Sequence, residues 1–258
     1  MSRMSLTFQC QSCQLAGTLD TAPGKTGLLI VSGGNEVRSG AFSGQSQLAA
    51  RIAEAGFPVF RFDRRGIGDS DGENRGFGKS GKDIEAAIEA FRAMAPQLDR
   101  VIAFGNCDAA SALALIEGEG CDGLILSNPW TIEGDDQTPP PAAVRSRYSE
   151  KLRNPKELLR LVTGKVSLRK LASGLKQAIA PAVTKSALAD DIAAGLAKFE
   201  GRTAILLASR DRTAQAFDAV WNSADPRIRR CEGASHAYVE EHARGWLEAE
   251  ILTVLRKK

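Results

Sequence analysis

The sequence predicts an α/β fold on a mostly parallel, doubly wound sheet, and three observations carry that expectation. Short runs that are apolar throughout recur along the chain, as strands covered on both faces do. Amphipathic helical stretches separate them, which is what the crossovers of a parallel sheet require. The alternation breaks once, between about Pro129 and Asp190, and resumes at Arg202, so the break reads as an insertion rather than a terminal second domain.

The elements follow in order. "MSLTFQC" and "CQLAGTLD" predict an N-terminal hairpin. Strands are expected at Thr26 to Ser32, Phe57 to Asp63, Arg100 to Phe104, Asp122 to Asn128, Arg202 to Ser209 and Arg227 to Gly233. Helical patterns lie between them at Ser46 to Gly56, Lys82 to Met94, Ala109 to Glu119 and Ala214 to Ser223, and "VEEHARGWLEAE" reads as a polar C-terminal helix. The expected organisation is a core of residues 1–128 and 191–258 with a helical, basic cap at 129–190. From Ala142 to Ser186 there are 11 Lys and Arg against 2 Glu, a net of +9 in a chain whose total is +3. This concentration admits two readings, a solvated helical face or a surface that meets an anion.

Several classes are excluded on composition. At 258 residues, 43% hydrophobic and 25% charged, the chain has the balance of a folded globular protein. The N-terminus is interrupted by polar residues within its first dozen and has no apolar stretch of signal-peptide length, and nowhere do about 18 consecutive apolar residues occur. The expected location is cytoplasmic. Five cysteines at uneven positions (10, 13, 107, 121 and 231) form no disulfide framework, and a reducing compartment keeps them as thiols. Cys10 and Cys13 are a lone C-x-x-C with no second pair, read as two thiols of the hairpin; Cys121 and Cys231 are read as core residues. No metal-ligand constellation or P-loop is present, and the chemistry below requires no cofactor. With one aromatic in the basic stretch, Tyr148, base-stacking platforms for nucleic acid are lacking.

In doubly wound sheets ligands collect beyond the carboxyl ends of the strands, and four such junctions carry chemical groups. "GNCDA", Gly105 to Ala109, has the pattern of a nucleophile elbow, G-x-Nu-x-G, with Cys107 at its centre and only small residues two positions either side. At the start of a helix a thiolate is favoured by unpaired backbone N–H groups. Asp211 follows the strand ending at Ser209, and His236 follows the last strand, so nucleophile, acid and base occur in the order an elbow of this type needs. Asp218 and Asp225 are weaker candidates for the acid, and His242 is expected to face solvent. A neutral imidazole at His236 would take the thiol proton and later protonate a leaving group, with Asp211 fixing its tautomer. "IVSGGNE" supplies an oxyanion loop, whose backbone donor is Gly34 or Asn35, beside the N–H of Asp108 after the nucleophile. The segment "FDRRGIGDSDG" is a glycine-rich loop in which Asp63 with Arg65 braces the turn.

On these residues the chain resembles the α/β-hydrolase superfamily over nearly its whole length, and more closely the exosortase A system-associated hydrolases of type 1. The resemblance rests on "VSGGNEVRSG", "FRFDRRGIGDSDGE", "GNCDAASALAL", "LSNPW" and "ASRDRTA". It implies an α/β-hydrolase fold and a bacterial cytoplasmic enzyme linked to exopolysaccharide production and exosortase-dependent sorting. Together these readings predict hydrolysis of an ester, thioester or lactone through a covalent acyl group on Cys107. The alternatives are acyl transfer to a sugar or carrier hydroxyl, and a non-catalytic protein that uses its basic cap to bind. The expected partner is a small acyl substrate, with an anionic portion or a membrane surface as the two things the cap would meet.

Overall fold

The computed structural model describes residues 2–132 and 186–257, so the interior of the expected cap, including all of its basic residues, lies outside the described residues. The hairpin forms from β1 (Arg3–Cys10) and β2 (Cys13–Asp20), and its turn places Cys10 directly opposite Cys13. Gln11 turns the chain with a positive φ of 54°. The remaining strands are β3 (Thr26–Val31), β4 (Val59–Phe62), β5 (Arg100–Asn106), β6 (Gly123–Ser127), β7 (Arg202–Ala208) and β8 (Ile228–Cys231). They complete one eight-stranded sheet in the order β1-β2-β4-β3-β5-β6-β7-β8. Pairing is parallel from β4 through β8, and the hairpin joins antiparallel through β2 and β4.

Six helices belong to the described residues: α1 (Gly44–Glu54), α2 (Gly81–Met94), α3 (Asp108–Leu115), α4 (Ala187–Lys198), α5 (Arg212–Val220) and α6 (Glu241–Arg256). Side chains of successive strand residues point to opposite faces, so each apolar strand feeds two cores. Leu29, Val31, Val101, Ala103, Leu124 and Leu126 pack with α2, α3 and α4 on one face. Leu28, Ile30, Ile102, Phe104 and Ile125 pack with α1 and α6 on the other. Complete burial of such side chains contributes about 1.5–3 kcal/mol each, which is why the middles of β3, β5 and β6 carry no polar residue.

Two local departures have physical causes. The helix expected to reach Glu119 ends at Leu115, because Glu117, Gly118 and Gly120 adopt positive φ and turn the chain toward β6. Helix α4 has no counterpart among the helices read from the sequence. Its apolar face is Ala189, Ile192, Gly195 and Leu196, too poor in large residues to stand out, yet Ile192 and Leu196 are buried in the same core as α3. Ser186 caps it by accepting from the N–H of Ala189 at 3.1 Å, and the same hydroxyl donates to the Thr131 carbonyl at 2.8 Å. The chain therefore leaves and re-enters the described core at one place. That place adjoins the elbow, since Trp130 N–H donates to the Cys107 carbonyl at 3.3 Å.

Candidate active site

β5 delivers Cys107 to a sharp turn into α3. Cys107 has φ 62° and ψ −128°, a conformation that a side chain with a Cβ adopts only under constraint. The constraint is visible: its N–H donates to the Ser127 carbonyl at 2.9 Å, and its own carbonyl accepts from Ala110 at 3.1 Å. Gly105 is required because a Cβ there would lie 2.7 Å from the Ala109 carbonyl carbon. The strained turn leaves the thiol half-buried at the carboxyl edge of the sheet.

Asp211 and His236 come together as the chain order predicts. Asp211 is the N-cap of α5: its Oδ2 accepts from Ala214 N–H at 3.0 Å, and its Oδ1 lies 3.0 Å from His236 Nδ1. One carboxylate thus anchors a helix and orients the imidazole. The hydrogen bond to Asp211, then one to the Cys107 side chain, raise the His236 pKa to about 10 against the opposing effect of burial. With Nδ1 turned to Asp211, Nε2 is the nitrogen left for Cys107. Both hydrogen bonds favour the imidazolium over the neutral imidazole expected from the sequence.

The main chain of His236 is fixed by groups that the sequence reading passed over. Its carbonyl accepts from Asn106 Nδ2 at 3.2 Å and from Asn128 Nδ2 at 3.3 Å. Asn128 Nδ2 also donates to Asn106 Oδ1 at 2.9 Å, and Asn128 Oδ1 accepts from Ala208 N–H at 2.8 Å. Both asparagines stood in plain view, in "GNCDA" and "LSNPW", but at a strand end asparagine reads first as a turn former. Beyond them, Tyr238 is buried with its hydroxyl 2.9 Å from Ser127 Oγ, and Ser235 donates to Glu240 through both its N–H and its hydroxyl at 3.1 Å.

The loop after β3 touches the elbow through Gly34, whose N–H donates to Asp108 Oδ1 at 2.7 Å. Arg64, buried at 5% exposure, donates to the Gly34 carbonyl and approaches Asp108 Oδ2 at 3.5 Å. Its other terminal nitrogen, Nη1, is buried without a hydrogen-bond partner among the described residues. The side chain of Asn35 turns elsewhere, accepting from Asn74 Nδ2 at 2.9 Å. The N–H of Asp108 opens α3 and has no acceptor within the helix.

The remaining candidates separate cleanly. Asp63 and Arg65 brace the glycine-rich loop, though not through each other. Asp63 accepts from Arg38 and from the Asp69 N–H, while Arg65 bonds Asp83 Oδ1 at 2.9 Å and the Cys10 sulfur at 3.1 Å. Asp218 pairs with Arg230, Asp225 forms a turn with Arg227, and His242 is exposed. Cys231 is buried, and half-buried Cys121 has its thiol pKa pushed up to about 12 by desolvation. No cluster of three or more potential metal ligands occurs among the described residues.

Known proteins place this geometry in a family. The family model described as serine aminopeptidase, S33, matches residues 23–242. No curated protein matches the chain significantly. Among solved structures, the esterase PF2001 of Pyrococcus furiosus aligns over 99% of this chain and 90% of its own, with a TM-score of 0.65 at 12% identity. The α/β hydrolase GrgF from Penicillium sp. sh18 aligns over 99% and 98%, with a TM-score of 0.64 at 14% identity. XC6422 from Xanthomonas campestris, described as an a/b serine hydrolase without lid, aligns over 100% and 97% with a TM-score of 0.59 at 15% identity. At such identities these likenesses establish the fold. The family match extends from just before β3 to the start of α6, across every junction described above, and the chain therefore belongs to the serine aminopeptidase S33 family, on an α/β-hydrolase fold.

Proposed function

We propose that the protein hydrolyses an acyl ester, thioester or lactone with Cys107 as nucleophile, His236 as acid and base, and Asp211 as the orienting acid. The observation that carries this reading is the contact of His236 with Asp211 on one nitrogen and with Cys107 on the other, at the end of a strained elbow. The family model and two structural relatives bear serine in their descriptions, whereas position 107 here is cysteine. The nearest hydroxyl along the elbow helix, Ser111, is buried and donates to the Trp130 carbonyl at 2.7 Å, which leaves it no nucleophilic role.

The steps follow from the charges. The Cys107 thiolate attacks the carbonyl carbon, and the oxygen becomes an oxyanion held by backbone N–H groups of Asp108 and of the loop after β3. Of the two loop candidates, Gly34 is the one whose N–H faces the elbow; the Asp108 carboxylate that it now binds yields as the oxyanion forms. The leaving alcohol or thiol departs with the proton of His236, leaving a thioester on Cys107 and a neutral imidazole. Water then attacks the thioester, giving a proton to His236; the acid leaves and the thiolate and imidazolium are restored. Amide bonds suit this site less, since a poor leaving group needs protonation before the thiolate is expelled instead.

The resemblance to exosortase A system-associated hydrolases supports a cytoplasmic role beside exopolysaccharide production. No helix among the described residues is long and apolar enough to cross a membrane. Incubation with S-ethyl thioacetate and intact-mass analysis tests the chemistry: an acetyl adduct on Cys107 is expected, with loss of turnover in Cys107→Ala. Unchanged turnover in that variant, without selective labelling of Cys107, refutes the proposal.

A further inference from the structure

A cavity of about 290 Å³ lies on the α1/α6 face of the sheet at the carboxyl end of β5. This is at the small end of the roughly 300–1,000 Å³ found for small-molecule sites, room for one modest group rather than a whole large substrate. Its depth is apolar, formed by Leu48, Phe104 and Leu247, and its mouth carries Phe42 and Val239. Phe104 and Asn106 share a face of β5 and both line it, and the next residue is Cys107. Ala237 and Tyr238, which follow His236, form another wall.

The mouth is unusual in a way that folding alone does not account for. Phe42 is 85% exposed and Val239 46%, two of the few large apolar side chains left in solvent. Phe42 and Ser43 also hold left-handed φ values of 52° and 57°, which neither residue type favours. A conformational cost is thus combined with an exposed aromatic ring directly over an apolar cavity. The charges around the cavity cancel: Arg51 is paired with Glu248 at 2.6 Å, and Glu36 and Arg244 are of opposite sign.

We infer that this cavity holds the uncharged alkyl or aryl part of the leaving alcohol or thiol, an assignment that rests on the acyl-transfer reading above. The side of the site decides between leaving group and acyl group. His236 delivers its proton to the leaving atom, and the residues that directly follow His236 are the cavity wall, so the substituent of that atom lies against them.

Two thioester series test it, because lengthening an alkyl chain beyond ethyl scarcely alters its reactivity. S-alkyl thioacetates from ethyl to octyl vary the leaving group, and S-ethyl thioesters from acetyl to octanoyl vary the acyl group. For the wild type, kcat/KM is expected to rise at least tenfold along the first series, as apolar subsites commonly discriminate. Val239→Trp, at an exposed position, is expected to remove most of that rise, and an unchanged thermal melting profile reports that the variant keeps its fold. Phe42→Ala is expected to weaken KM for S-octyl thioacetate with little change in kcat. Sensitivity of the acyl series alone, or of neither series, overturns the leaving-group assignment while leaving Cys107 chemistry intact. Absence of any turnover and of any Cys107 adduct in the wild type overturns both.

Discussion

The hydrogen bonds to Asp211 and Cys107 hold His236 toward its protonated form, and this has a consequence for the nearest chemical substitution. A serine at position 107 would restore the nucleophile of the wider family, yet serine needs a neutral imidazole to take its proton, while the Asp211 partner favours imidazolium. Cys107→Ser is therefore expected to lower kcat by about a hundredfold or more. Retention of activity near the wild-type level in steady-state assays would show that the proton is not held as described. Asp108 offers a second test. Its carboxylate sits on the Gly34 N–H that faces the elbow, with Arg64 behind it, so under the proposed mechanism a negative charge stands where the oxyanion would form. Asp108→Asn keeps an acceptor for Gly34 but removes the charge, and kcat is expected to rise about threefold to tenfold, a small part of the Coulomb energy available at such distances. A fall in kcat with unchanged KM would instead make the carboxylate a brace that the oxyanion loop needs.

At the scale of elements, the site is assembled from joints between strands and helices, and those joints were legible because each lies at a fixed point of the α/β alternation. Cys107, Asp211 and His236 follow β5, β7 and β8, and chain order alone predicts that they meet. What escaped the sequence are contacts with no periodic signature. The bond from Gly34 to Asp108 spans 74 residues, and the Asn106 and Asn128 side chains converge on His236 only through sheet register. Helix α4 escaped because alanine and glycine dominate its buried face. Its N-cap, Ser186, makes two bonds at once, one to the helix and one to Thr131 across the mouth of the basic stretch. Ser186→Ala is expected to cost roughly 1 kcal/mol or somewhat more in chemical denaturation, the ordinary value of a lost cap. An undiminished midpoint would mean that α4 contributes nothing to the described core.

Across the whole molecule, the candidate active site and the stability of the fold are coupled through the proton of His236. His236 has a folded pKa of about 10 against 6.5 for an unperturbed imidazole. Between these values the folded chain binds a proton that the unfolded chain does not, so the contribution of His236 to stability is fully present below about 6.5 and is lost as pH rises through about 10. His236→Gln removes this linkage while leaving Asp211 to cap α5 through Ala214. The Tm of the wild type is expected to exceed that of His236→Gln at pH 6, and the difference is expected to shrink progressively up to pH 10, because other titrating groups are common to both proteins and cancel. A difference that stays constant over that range would place His236 in the neutral form throughout. The same measurement on Asp211→Asn separates the causes. The hydrogen bond to Asp211 is the largest contribution to the raised pKa, so in that variant the titration of His236 moves down, and with it the alkaline limb of turnover, since leaving-group departure needs the imidazolium. Concerted downward movement of both, by calorimetry and by rate, is expected if the group that stabilises the fold is the group that gives up the proton.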